Sequence, residues 1–174
     1  MRVDRYDRHS LIEWFDQERV KNASVVVVGA GAVGNEALKN LALLGVGHIQ
    51  IIDFDTIEEH NLTRSVLFRE TDVGLRKAEA AAAACQALDP NIDVRFSSAD
   101  YWEVLTFREL SLATAVFNCT DNFESRIRLN RLCLMMGTDY YNTAVDSRFV
   151  SVEVFPFSSQ PDGGCDECTL PPSV

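Results

Sequence analysis

At 174 residues, with 47% hydrophobic and 24% charged residues, the chain suits one soluble globular domain with a full core. Its net charge of −10 argues against a nucleic-acid partner, because a phosphate backbone is usually bound by a basic face. The N-terminus lacks the apolar core of a signal peptide and no run of about 18 apolar residues could span a membrane, so we expect a cytoplasmic protein without a membrane partner.

A charged arm precedes the first predicted strand. Ser10 and Glu13 have the spacing of a capping box, which predicts a helix from Ser10 to about Lys21. Because the arm comes before the first strand, we expect it to pack outside the sheet or against another subunit. The alternative is an arm that lies in solvent.

A glycine motif follows that strand. Val25–Val28 is a run of β-branched residues, typical of a buried parallel strand. The motif G-x-G-x-x-G at residues 29–34 allows a tight turn and a close approach of the backbone to a phosphate. A helix ending at Gly45 and a strand over His48–Ile52 then lead to Asp53, whose carboxylate is placed to bind a ribose. The segment predicts a nucleotide site; the alternative is a glycine turn that only packs a helix on a sheet.

Two cations lie in the polar segment after Asp53. A helix N-terminus can balance a pyrophosphate, but a triphosphate brings about four negative charges, which require arginine, lysine and a metal ion. Arg64 and Lys77 lie where that chemistry needs them. Lys77 also opens an alanine-rich helix, so a surface lysine of the first turn is the alternative interpretation.

Helices and strands alternate through the rest of the chain. We predict helices over Lys77–Leu88, Tyr101–Ser111 and Phe123–Met136, and strands over Val94–Phe96, Ala115–Cys119, Asp139–Asn142 and Phe149–Phe155, with a loop from Pro156. The predicted fold is a Rossmann-like, doubly wound α/β sheet, mainly parallel, with helices on both faces. Residues 1–22 form its N-terminal helical arm and residues 23–174 its nucleotide-binding domain.

Asp121 follows the strand Ala115–Cys119. Ligands of open α/β sheets bind beyond the carboxyl ends of the strands, so Asp121 lies where Asp53 and the glycine motif point. A carboxylate there could hold Mg²⁺. Alternatively, Asp121 is only the N-cap of the next helix.

Five cysteines fall into two groups. Cys165 and Cys168 have C-x-x-C spacing, which supplies half of a tetrahedral zinc site, whereas a closed structural site needs four ligands. A redox role fits less well, because redox pairs usually open a helix and Pro171-Pro172 follows here. The other three, Cys85, Cys119 and Cys133, are expected to be buried packing residues.

Seven motifs in register resemble the ubiquitin-activating-enzyme-like adenylyltransferases, the ThiF/MoeB-type family. The match runs over nearly the whole chain. Its motifs are Arg5-Tyr-Asp-Arg8, GAGAVG, IIDFD, Asn61-Leu-x-Arg64, Gly74-x-x-Lys77-Ala78, Asn118-Cys-Thr-Asp121-Asn122 with Arg126, and Cys165-x-x-Cys168.

The resemblance implies an activity. It implies that MgATP is attacked at its α-phosphate by the C-terminal carboxylate of a ubiquitin-like or sulfur-carrier protein, giving an acyl-adenylate and pyrophosphate. It also implies a homodimer in which Arg8 reaches the neighbouring subunit's site. The nucleotide-binding residues carried over are Gly29, Gly31, Ala32, Gly34, Asp53, Asp55, Asn61, Arg64, Lys77, Asp121 and Asn122, and the catalytic ones Arg8, Arg64, Lys77 and Asp121, with Asp121 on Mg²⁺ and Cys165 and Cys168 on zinc.

The sequence departs from the family pattern in four places. Ala32 stands where glycine is frequent, Ser65 where glutamine is usual, and Val145–Arg148 where the family is glycine-rich. Family members also continue past the first C-x-x-C pair, so the resemblance predicts a chain that is truncated after it or degenerate.

Two other functions stay open at this point. One is a non-catalytic family member that acts as a binding or dimerisation partner. The other is an NAD-dependent oxidoreductase, which the glycine motif and Asp53 alone would suggest. The latter leaves Asn61, Lys77 and Asp121 without a role.

Overall fold

Six strands and six α-helices make up the computed structural model, which describes residues 4–146 and 151–157. The strands are β1 Ser24–Val28, β2 His48–Ile52, β3 Asp93–Ser97, β4 Ala115–Asn118, β5 Asp139–Asp146 and β6 Ser151–Phe157. The α-helices are α1 Gln17–Lys21, α2 Ala32–Leu44, α3 Lys77–Leu88, α4 Tyr101–Val104, α5 Phe107–Leu112 and α6 Phe123–Met136. Short 3₁₀ helices cover His9–Leu11, Glu59–Thr63 and Glu70–Asp72.

The strands form one sheet in the order β3-β2-β1-β4-β5-β6. Neighbours from β3 to β5 pair in parallel, and β6 pairs with β5 antiparallel at one edge. After β3 the chain returns to the other side of β1, so the strand order reverses between β1 and β4. Such a reversal opens a crevice at the carboxyl ends of the two strands. The predicted doubly wound fold is confirmed.

Helices cover the two faces of the sheet through separate apolar clusters. Val25 and Val27 belong to a cluster with Leu38 of α2 and residues of α3, whereas Val26 and Val28 belong to one with residues of α5 and α6. Successive side chains of a strand point to opposite faces. A strand covered on both faces therefore reads as a continuous apolar run, which is why β1 is four valines without alternation.

The predicted helix from Ser10 to Lys21 is wrong. The Ser10 hydroxyl donates to the Asp7 carbonyl at 2.6 Å instead of capping a helix. The α-helix begins only at Gln17, where the Asp16 side chain accepts a hydrogen bond from the Arg19 amide. A side-chain acceptor three residues before an amide is the usual N-cap geometry, so Asp16 replaces Ser10 as the start of a much shorter helix.

The arm packs outside the sheet, held at its beginning by a cluster that we term the arm clamp: Arg5, Tyr6 and Asp89. Asp89 is fully buried just after α3, accepts a hydrogen bond from the Tyr6 hydroxyl, and pairs with Arg5 at 2.7 Å. Tyr6 lies over Gly45, where an added Cβ atom would be 2.3 Å from its hydroxyl oxygen. The clamp therefore fixes the arm to the amino-end edge of the sheet.

Other element boundaries also differ from the predictions. The predicted helix Tyr101–Ser111 is two helices, because the Thr106 side chain caps the amide of Glu109 and the Glu109 side chain returns to the amide of Thr106. This capping box starts a new helix after Leu105. At the edge of the sheet, β6 extends to Phe157 and includes Pro156, which an edge strand tolerates. No helix in the described ranges is long and apolar enough to cross a membrane.

Candidate functional site

The glycine motif forms a tight turn between β1 and α2. Gly29 has φ +93°, a backbone conformation that favours glycine. A Cβ atom on Gly34 would lie 2.0 Å from the Gly29 carbonyl oxygen, so the helix can pack on the turn only without a side chain there. At Gly31 an added Cβ would meet nothing within 4 Å. The turn is thus closed on its inner side and open above Gly31, where an anion can approach.

The N-terminus of α2 faces the same opening. Gly31 is its N-cap and supplies no side-chain hydrogen bond to the first turn, and Ala32 is the first helical residue. The amides of a first turn have no partner within the helix and carry a partial positive charge. This geometry fits a phosphate group.

Asn35 holds the turn in place, and the sequence interpretation missed it. Its fully buried side chain donates to the carbonyls of Ala30 at 2.7 Å and Gly31 at 3.1 Å, and accepts from the amide of Leu67 at 2.9 Å. It therefore joins the glycine turn to the segment between β2 and α3. The only local sign in the sequence is a polar residue on the helix face that also carries Leu38 and Ala42.

Asp53 follows β2 and caps the same turn. Its carboxylate accepts hydrogen bonds from the amide of Ala30 at 2.7 Å and from the amide of Asp55 at 2.8 Å. Burial raises the pKa of Asp53, against the opposing effects of these two bonds and of the Lys77 charge. The predicted ribose ligand thus stands at the turn, with its oxygens bonded to backbone amides.

Asp55 and Lys77 extend this network. The Lys77 ammonium contacts the Asp55 carboxylate at 2.7 Å, and the Lys77 amide donates to the Asp55 carbonyl at 2.9 Å. Hydrogen bonds therefore lead from the glycine turn through both carboxylates to the lysine. We refer to Asp53, Asp55 and Lys77 as the nucleotide-side cluster.

Residues 58–73 form a crossover segment closed at its base by backbone bonds. The Ile57 amide donates to the Leu75 carbonyl at 2.8 Å, and the Gly74 amide to the Ile57 carbonyl at 2.9 Å. Within the segment, the buried Asn61 side chain accepts from the Glu58 amide at 2.9 Å, and the exposed Arg64 donates to the His60 carbonyl at 2.7 Å. The two predicted phosphate ligands are thus positioned by local contacts.

Asp121 lies on the exposed turn after β4. The neighbouring Asn122, not Asp121, is the N-cap of α6, since its side chain accepts from the Ser125 amide at 3.2 Å. The alternative that Asp121 is a cap is therefore wrong. The buried Asn118, which the sequence interpretation left without a structural role, fixes this turn by accepting from the Thr120 amide at 3.0 Å.

The β4 turn also meets the glycine turn. A Cβ atom on Gly29 would lie 2.9 Å from the carbonyl of Cys119, two residues before Asp121. Arg126 of α6 donates twice to the Thr120 carbonyl, at 2.7 and 3.1 Å. Asp53 and Asp121 therefore flank one crevice, at the carboxyl ends of β2 and β4.

Arg8 lies on the arm, two residues after Tyr6 of the arm clamp, and directly precedes the 3₁₀ helix His9–Leu11. It is exposed to solvent. Its predicted role at a neighbouring subunit's site stays a prediction.

The described cysteines are packing residues, as predicted. Burial raises the pKa of Cys119 to about 11 and those of Cys85 and Cys133 to about 12, so all three are thiols near neutral pH and weak nucleophiles. Cys165 and Cys168, the predicted zinc ligands, lie outside the described residues. Within the ranges that the structure covers, no three His, Cys, Asp or Glu side chains form a metal-binding cluster.

The sequence is similar to enzymes that activate carrier proteins. A profile of the ThiF family matches residues 6–173. The chain is 33% identical to the SAMP-activating enzyme E1 of Haloferax volcanii and 35% identical to the sulfur carrier protein adenylyltransferase of Thermus thermophilus, with 97% of the chain covered in each case. It spans only 62% and 64% of the length of these two curated relatives.

The fold is similar to that of a solved structure. E. coli MccB with AMPCPP and MccA superposes with a TM-score of 0.81 at 28% identity, covering 97% of this chain and 52% of MccB. MccB with ATP gives a TM-score of 0.80 with the same coverage. The similarity includes the strands and turns that surround the crevice.

Proposed function

This chain belongs to the ThiF family, and from that premise we propose that it binds ATP at the glycine turn and adenylates the C-terminal carboxylate of a ubiquitin-like or sulfur-carrier protein. The products are an acyl-adenylate and pyrophosphate. The curated relatives named above are a SAMP-activating enzyme and a sulfur carrier protein adenylyltransferase, which supports both the reaction and the class of carrier.

One observation carries the proposal. Hydrogen bonds connect the glycine turn to Asp53, Asp55 and Lys77, so an anion site, a candidate ribose ligand and a cation lie along one edge of the crevice. A dinucleotide would need the first two, whereas the lysine suits a triphosphate. The open space above Gly31 and the uncapped start of α2 fit the phosphates.

The reaction needs charge neutralisation more than a protein nucleophile. The attacking carboxylate is already ionised, so the chain's task is to hold two anionic reactants together. Lys77 and Arg64 would neutralise the phosphates, and the amides of α2 and the Asn61 side chain would donate hydrogen bonds to them. For Arg64 this requires its hydrogen bond to the His60 carbonyl to be exchanged for a phosphate contact. Asn61 would donate from its Nδ2 group and keep the bond that its oxygen accepts from the Glu58 amide.

Asp121 is the proposed Mg²⁺ ligand. Mg²⁺ is commonly held by one or two carboxylates together with substrate phosphates, so a single exposed aspartate beside the crevice fits the ion without a three-residue cluster. When bound, Mg²⁺ would supply positive charge to the phosphates. Asn122 stays the N-cap of α6 and would support the turn that carries Asp121.

The proposal also covers the N-terminal arm, the cysteine pair and a second copy of the chain. We propose that residues 1–22 are an arm on a nucleotide-binding domain of residues 23–174, and that Arg8 completes the site of a second copy in a homodimer. The exposure of Arg8 on the arm leaves its guanidinium group accessible to a second copy. Cys165 and Cys168 are proposed as two of the four ligands of a structural zinc site.

The oxidoreductase alternative is not favoured. The relatives and neighbours point to ATP rather than to a nicotinamide cofactor. A non-catalytic family member is distinguished by experiment, because such a chain could keep the fold and lose nucleotide binding.

The test compares nucleotides by calorimetry. We expect the wild-type chain to bind ATP with Mg²⁺ and to give no heat with NAD⁺. Asp121→Asn removes the proposed metal ligand and is expected to weaken MgATP binding roughly tenfold or more. Asp139→Asn, an equal charge change at the exposed amino end of β5, is the matched control and should bind like the wild type.

The outcomes separate the three functions. MgATP binding that depends on Asp121, followed by pyrophosphate exchange with a ubiquitin-like protein, supports adenylation. Binding of NAD⁺ that is indifferent to Asp121 contradicts it. Absence of binding to either nucleotide supports the non-catalytic partner.

A further inference from the structure

The side chains of Asp55 and Lys77, which contact each other, differ in their exposure to solvent. Only 12% of the Lys77 side-chain surface is exposed, against 50% of that of Asp55. The two charges meet at 2.7 Å, within the usual range for a charge-assisted hydrogen bond. The lysine is therefore mostly withdrawn from water, and the aspartate is its counter-ion.

A mostly buried ammonium group without an anion is costly, because the protein replaces its hydration poorly. Asp55 offsets that cost through its contact with the ammonium group, with help from the nearby Asp53 charge. A phosphate that reaches Lys77 would supply the same compensation. Asp55 and a phosphate are thus alternative partners for one cation.

We propose that Asp55 is an exchangeable counter-ion of Lys77, which the phosphates displace when nucleotide binds and which returns to the lysine when pyrophosphate leaves. The inference rests on the proposed function. It gives Asp55 a positioning role that acts through Lys77, in contrast to direct contact with the nucleotide.

Exchange of this kind has a thermodynamic consequence. A contact that stabilises the free protein and is lost on binding lowers the affinity for the ligand by the same free energy. Asp55 therefore weakens polyphosphate binding and favours pyrophosphate release. Its removal should make pyrophosphate a tighter ligand.

The local backbone makes this testable by substitution. The Asp55 carbonyl accepts from the Lys77 amide, and the Asp55 amide donates to Asp53, so both backbone bonds survive a change of side chain. Asp55→Asn keeps the size and removes the charge. Asp93→Asn is the matched control, because Asp93 also forms an exposed ion pair, with Arg95 at 3.2 Å, at the amino end of β3.

The experiment is calorimetric titration of the 174-residue chain with inorganic pyrophosphate and, separately, with ATP and Mg²⁺. We expect Asp55→Asn to bind pyrophosphate roughly three- to tenfold more tightly than the wild type, and Asp93→Asn to bind it equally. In a Lys77→Ala background the effect of Asp55→Asn should disappear, since the shared cation is gone.

Each outcome decides the question. Tightening that requires Lys77 supports the exchange. Unchanged or weaker pyrophosphate binding by Asp55→Asn, or tightening that persists without Lys77, overturns it while leaving the proposed function intact if the wild type binds MgATP. A wild-type chain that binds neither ligand overturns both.

Discussion

The arm clamp and the nucleotide-side cluster use the same chemistry at opposite edges of the sheet, but they differ in burial. In the clamp, Asp89 is fully buried and is bound by Tyr6, Arg5 and Asn91. In the cluster, Asp55 is half exposed and holds a single cation, Lys77. Both are acid–base contacts between segments distant in sequence.

The difference indicates what each contact can be used for. A buried carboxylate with several donors cannot lose them without a large cost, so it fixes two segments permanently. Water or another anion can replace a half-exposed carboxylate as the partner of a cation at little cost in free energy. The clamp therefore suits attachment of the arm, and the cluster suits ligand exchange.

Removal of the clamp acid should have the largest effect. Asp89→Ala leaves Tyr6 and Arg5 without their partner and is expected to lower the free energy of unfolding by about 3 kcal/mol. Urea denaturation measures the change. The same truncation at Asp55 is the comparison and should cost only about 1 kcal/mol, because Asp55 is half exposed and the Asp53 charge stays near Lys77. Equal losses at the two positions would remove the distinction between the clusters.

A change of pH should have the second-largest effect, through the stability that the arm clamp provides. Burial opposes ionisation of Asp89, but hydrogen bonds from Tyr6 and Asn91 and the charge of Arg5 outweigh it and hold its pKa below the usual value. The stability that it provides is therefore complete above the unfolded-state pKa of about 3.9 and is lost as the pH falls through the lower folded-state value.

Tyr6, the partner of Asp89, sets an alkaline limit to the stability that the clamp provides. Burial, followed by the hydrogen bond to Asp89 and its charge, raises the pKa of Tyr6 from 10.0 to about 12. The corresponding stability is present below pH 10.0 and is lost as the pH rises through about 12. The urea midpoint should be measured from pH 5 to pH 3 and from pH 9 to pH 12. In both ranges it should fall less steeply for Asp89→Asn than for the wild type. Parallel curves would contradict the assignment of this pH dependence to Asp89 and Tyr6.

Loss of the cluster lysine should have the smallest effect on folding. Lys77→Ala removes a cation whose partner is half exposed, so we expect the unfolding free energy to change by less than about 1 kcal/mol. Binding of MgATP should nevertheless fall roughly tenfold or more, as calorimetry would show. A large loss of stability with unchanged nucleotide binding would reverse the roles of the two clusters.

Elements that are determined by the local amino-acid pattern were predictable from the sequence. Four consecutive valines indicated β1, and Gly45, which adopts φ +77°, indicated the end of α2. The predicted end of α6 at Met136 is also the observed one. The sequence also predicted Asp53 at the end of β2 and Asp121 beyond β4, because strand order brings these ends together.

Contacts between distant segments were not predictable. Asp89 looked like the end of α3 alone, yet its partner Tyr6 is 83 residues away. Ser10 and Asp16 are both competent helix caps, and packing of the arm decides between them. By contrast, Thr106 and Glu109 carried a readable capping box, so the break between α4 and α5 was available from the sequence.

The backbone bonds at the base of the crossover segment have a consequence for protein engineering. Because residues 55–57 are joined to residues 74–77 independently of what lies between, the segment 58–73 is a cassette with fixed ends. Each doubling of its length would cost only about 0.6 kcal/mol of closure entropy. Its exposed positions could be exchanged or extended to graft new recognition elements, provided that the buried Asn61, Leu67 and Phe68 and the proposed phosphate ligand Arg64 are kept.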